Sequence, residues 1–127
     1  MANIKIEMHI LLTRQLQDSK DLIQKFKSNG FKVSNLPLLE ISKSDYNETK
    51  IYNHNAIIFT SSNAIRFLDL KNIDKNILCF CVGSYTEKTA RSTGFQNVFA
   101  ADGNVRNLKE LVQQNLSVKD NKILYVS

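Results

Sequence analysis

With 127 residues, the chain can bury one core of ordinary size but not two full domains, so a single compact unit is the first expectation. Hydrophobic and charged fractions of 43% and 23% exclude a disordered chain. No apolar run nears the roughly 18–20 residues of a bilayer span, and Glu7 and His9 interrupt the opening MANIKIEMHILL, so no membrane contact and a cytoplasmic location are expected.

In chain order, MHILLT (8–13) is a short apolar run that suits a strand buried on both faces. Residues 18–29 follow as a helix, with Leu22, Ile23 and Phe26 at helical spacing. Asp18 and Asp21 open it, Lys25 and Lys27 close it, and Gly30 takes the left-handed position beyond. FKVSNLPLLEI (31–41) reads as a strand, a kink and a second strand, because Pro37 has no N–H for a central ladder. Residues 42–55 are polar, with at most one helical turn. After them come AIIFTS strand, SNAIRFLDL helix, ILCFCVG strand, SYTEKTARST helix, NVFAA strand, NVRNLKELVQQNL helix and KILYVS strand. This alternation predicts an α/β fold, flavodoxin-like and doubly wound, with a mostly parallel sheet and helices on both faces.

In such a fold the ligand crevice lies beyond the carboxyl ends of the strands. The polar clusters fall there: Thr13-Arg14, Thr60-Ser61-Ser62-Asn63, Gly83-Ser84-Tyr85-Thr86 and Asp102-Gly103-Asn104. Helix capping explains part of this. Ser62 or Asn63 suits the first cap, Ser84 with Glu87 forms a capping box, and Asn104 caps the third helix of the series. One hydroxyl per helix start suffices, however, and the quartet at 60–63 offers four groups. A polar ligand spread over the crevice explains the surplus.

The missing motifs narrow the chemistry. There is no GxGxxG after the first strand and no GxxxxGK[ST], which removes support for dinucleotide or P-loop binding. His9 and His54 lie far apart without a matching nucleophile, and Asp102 is a lone strand-end carboxylate, more often a loop or cap residue than a catalyst. Cys79 and Cys81 point to one face of a strand, too extended for an easy disulfide, and read as buried free thiols; without nearby histidines no metal is expected. The net charge of +5 favours acidic partners. Because the lysines form no block and are not interleaved with aromatics, a polyanionic small molecule is expected and nucleic acid is not.

ILLTR, SNGFKVSNLPLLEI, AIIFTSSNAIRFL, CFCVGSYTEKTARSTGF, a D-G pair, NLKELV and ILYVS, taken in that order, resemble the first part of the uroporphyrinogen-III synthase family. The resemblance implies a tetrapyrrole-pathway lyase of haem biosynthesis that closes hydroxymethylbilane to uroporphyrinogen III with inversion of the last ring, without cofactor or metal. It also implies two α/β lobes joined by a linker. Residues 1–35 would open lobe one, 36–41 form a linker strand, and 42–127 belong to the second lobe. Matching motifs would place Thr13, Arg14, Thr60, Ser61, Ser62, Asn63, Gly83, Ser84, Thr86, Asp102 and Gly103 against the substrate carboxylates. Gln15 stands where the family's TRP motif has proline, and no indispensable general base is expected. Family members are longer than this chain, which would leave the opening strand and helix without a sheet to join. A homodimer or a C-terminal half in another chain is the expected remedy. A non-catalytic flavodoxin-like binding module is the alternative.

Overall fold

Strands and helices alternate as the periodicities predict, except that the strand expected after Pro37 is absent. The computed structural model describes residues 8–47, 54–117 and 122–127, and the chain divides between Ser42 and Lys43 into two compact units, where length alone suggests one.

The first unit is a βαβ element. Strands β1 (His9–Leu12) and β2 (Lys32–Asn35) pair in parallel, His9 opposite Lys32, and helix α1 (Leu16–Ser28) connects them. The opening strand therefore does join a sheet, of two strands. It is not buried on both faces: exposed and half-buried residues alternate along it, because one helix covers one face of a sheet. Gly30, at φ 84°, ends α1 in the left-handed region, and its N–H donates to the Lys27 carbonyl. Residues 36–41 form no strand. The Leu36 and Leu38 N–H groups still donate to the Leu12 and Thr13 carbonyls (2.8 and 3.1 Å), but Pro37 between them has no N–H, and the ladder goes no further. Residues 42–47 carry no helix or strand, and the rest of the polar 42–55 segment up to residue 53 lies outside the described residues.

The second unit alternates β3 (Ala56–Phe59), α2 (Ser62–Phe67), β4 (Leu78–Val82), α3 (Ser84–Ser92), β5 (Asn97–Ala101), α4 (Val105–Asn115) and β6 (Ile123–Val126). Its four strands are all parallel in the order β5-β4-β3-β6. Successive side chains alternate between faces. Ile57, Phe59, Cys79, Cys81 and Val98 line one face beneath Ile65 of α2 and Ala90 of α3; Phe59 meets Phe95 edge-on, with centroids 5.8 Å apart. Ala56, Phe80 and Ala101 line the other beneath Leu108 of α4. Each fully buried Phe or Ile contributes about 1.5–3 kcal/mol, so these two layers carry the unit. With helices on both faces of a parallel sheet, the fold is doubly wound α/β, flavodoxin-like in type. Helix α2 stops short of its predicted end because Leu68 turns extended at ψ 135° and the Asp69 N–H donates to the Tyr46 hydroxyl at 2.8 Å.

Candidate functional site

From β3 the chain first lays β4 and β5 to one side, then returns to place β6 on the other. That reversal makes the carboxyl ends of β3 and β6 the topological switch point of the sheet, where ligands bind in this fold class. Thr60 stands there, exposed, with its hydroxyl 3.4 Å from that of Tyr125 on β6.

The rest of the quartet has defined partners. Ser61, not Ser62 or Asn63, is the cap of α2: its backbone is extended and its hydroxyl accepts the Asn63 N–H at 3.2 Å. Capping requires a non-helical residue, and Ser62 and Asn63 are already helical. Those two side chains instead face the residue one turn on. Arg66 donates through Nη1 to Asn63 Oδ1 at 2.6 Å and through Nη2 to the buried Ser62 hydroxyl at 3.3 Å. It also reaches α3, where Nη2 donates to the Tyr85 hydroxyl at 3.1 Å. Arg66 lies outside the polar clusters that mark the strand ends in the sequence. Its spacing of three and four from Asn63 and Ser62 is the signal that would have found it.

At the end of β4, Gly83 adopts φ 85° and ψ 152° and is itself the cap position of α3. The expected capping box at Ser84 does not form, since the glycine's turn makes Ser84 the first helical residue. Glu87 pairs with Arg91 at 3.2 Å instead. Ser84 is exposed and Thr86 buried. At the end of β5, the N–H groups of Gly83 and Gly103 converge on the Ala101 carbonyl at 3.0 and 2.9 Å. Asn104 caps α4 as expected, its Oδ1 accepting the Asn107 N–H at 2.9 Å. Asp102 is exposed, and its backbone carbonyl accepts from Asn107 Nδ2 at 3.2 Å.

Thr13 and Arg14 belong to the first unit, where both are exposed. The Arg14 carbonyl accepts from Asn35 Nδ2 at 2.8 Å, which pins the turn after β1.

Cys79 and Cys81 are buried free thiols on one face, their sulfurs 3.9 Å apart. The hydrogen bond with Cys81, and then burial, push the Cys79 thiol far above its ordinary range. Among the described residues, no three His, Cys, Asp or Glu converge as metal ligands, and no helix is long and apolar enough to cross a membrane.

The strand ends of the second unit thus collect hydroxyl, amide and guanidinium groups, a set suited to holding anionic oxygens. A family model described as uroporphyrinogen-III synthase HemD matches residues 20–127. The chain belongs to the uroporphyrinogen-III synthase family. No curated protein matches it. The uroporphyrinogen-III synthase match takes in the candidate residues from Thr60 to Gly103, and Arg66 and Tyr85 with them, while Thr13 and Arg14 precede it.

Proposed function

We propose that the chain acts as a uroporphyrinogen-III synthase, closing hydroxymethylbilane to uroporphyrinogen III with inversion of the last pyrrole ring and loss of water. The family match over residues 20–127 carries this reading. The donor-rich strand ends support it, because a flexible polycarboxylate is held best by many donors spread over a wide surface. Thr60, Ser84 and the free N–H groups of the first turn of α3 bind carboxylate arms. Ser61, Ser62 and Asn63 fix the shape of the corner, and Thr86, Asp102 and Gly103 line its β4 and β5 side. Thr13 and Arg14 are carboxylate-binding candidates of the first unit. Catalysis is largely positional: the bilane is folded so that its terminal rings meet, and water is kept from the reactive end. The same reading takes residues 1–35 as the start of one lobe, 36–41 as a linker and 42–127 as a second lobe.

A non-catalytic binding role is the second reading, favoured by one observation. Ser61, Ser62 and Asn63 hold their own corner, as a binding scaffold requires whether or not a reaction follows. Cyclisation of hydroxymethylbilane generated in situ, with separation of the isomers, tests both. Uroporphyrinogen III above the spontaneous isomer I background supports the enzyme. Isomer I alone, with saturable binding of uroporphyrin, supports the binding module. Isomer I alone with no binding overturns both.

A further inference from the structure

Arg66 is held on two helices at once. Within α2 it donates to Asn63 and Ser62, and across to α3 it donates to the Tyr85 hydroxyl at 3.1 Å. The Tyr85 ring also lies beneath the guanidinium, 5.9 Å from Cζ to the ring centroid. Phenylalanine would keep the ring contact between α2 and α3 and lose only the acceptor for Arg66. The hydroxyl's acceptor side is thus used by Arg66, and its own proton is left to account for.

A phenolic oxygen can accept one hydrogen bond while its own proton is donated elsewhere. Here the oxygen accepts from Arg66, so the proton is directed away from the guanidinium. Among the described residues no acceptor takes it, and Tyr85 is 45% exposed. Donation from a charged N–H into a hydroxyl oxygen polarises the O–H and strengthens it as a donor. Tyr85 is the second residue of α3, at the carboxyl end of β4, the edge of the sheet where ligands of this fold class bind.

We infer that the Tyr85 hydroxyl, oriented by Arg66, donates a hydrogen bond to a carboxylate arm of the bound tetrapyrrole. Arg66 is its positioning residue, held in turn by Ser62 and Asn63. The ligand class rests on the proposed function; the direction of the donor rests on the geometry. The surplus of polar groups after β3 then has an additional use: two of them aim a cation that aims a phenol.

The test is titration of the full chain with uroporphyrin, an octacarboxylate, and coproporphyrin, a tetracarboxylate, comparing wild type with Tyr85→Phe. The variant keeps the ring contact and loses only the hydroxyl. Uroporphyrin binding is expected to weaken about tenfold, the effect of one donor lost from a charged acceptor. Coproporphyrin should weaken less, and the melting temperature should stay within a few degrees. Equal uroporphyrin affinity in variant and wild type overturns the inference and leaves the proposed function standing. A large drop in melting temperature makes the hydroxyl structural and also overturns it. Absence of saturable uroporphyrin binding by the wild type overturns the proposed function and this inference together.

Discussion

Gly83 donates its backbone N–H to the Ala101 carbonyl at 3.0 Å, fastening the end of β4 to the end of β5. The bond holds Gly83 at φ 85° and ψ 152°, a region that L residues with side chains almost never occupy. A β-carbon there would meet no atom within 4 Å, so the cost of Gly83→Ala is backbone strain alone. The substitution is expected to destabilise the second unit by about 1–3 kcal/mol. The melting temperature should then fall by roughly 4–8 °C for each kcal/mol. An unchanged melting temperature would mean that the chain can leave this conformation freely.

Cys79 offers a pH test. Its folded thiol is held neutral by Cys81 and by burial, while the unfolded thiol ionises near pH 8.5. The folded state thus binds the extra proton, and the stability this confers is complete below about pH 8.5 and declines as pH rises above it. Denaturant unfolding between pH 8 and 10 should show a steeper loss of stability in the wild type than in Cys79→Ala. Iodoacetamide at pH 8.5 should leave Cys79 unlabelled until denaturant is added.

Gln15 caps α1 at φ −52° without a side-chain hydrogen bond, a φ inside the range that proline imposes. Gln15→Pro should therefore preserve the turn and raise stability by about 0.4–1 kcal/mol through a less flexible unfolded chain. A lower melting temperature would mean that Arg14, restricted to extended conformations by a following proline, opposes the change.

Most of the fold was legible because its signals are local. The apolar runs of β3 and β4, the amphipathic period of α4 and the Asn104 cap each lie within a few residues of the element they define. Burial of β1 was misread because an apolar run does not reveal how many layers will cover it. The start of α3 at Ser84 agrees with its pattern, but its cap does not: Ser84 and Glu87 have capping-box spacing, whereas the backbone of Gly83 makes the glycine the cap position. At the candidate site the quartet stands out in the sequence as four separate donors, whereas in the fold three of them are tied to one another and to Arg66. The pairing of Asn63 and Ser62 with Arg66 follows helical spacing and was open to inference. The reach of Arg66 to Tyr85 depends on how α2 packs beside α3, which no local pattern encodes.

The position of β6 also constrains how the protein assembles. The Asn55 side chain accepts the Lys122 N–H from 67 residues away, so the β3–β6 seam closes one of the longest loops in the chain. Closing such a loop is entropically costly and slows folding. While the ribosome has yet to release β6, the strand Ala56–Phe59 can hydrogen-bond only on its β4 side. Its open edge is then free to recruit strands from other nascent chains, so aggregation during translation should be governed by how soon β6 docks.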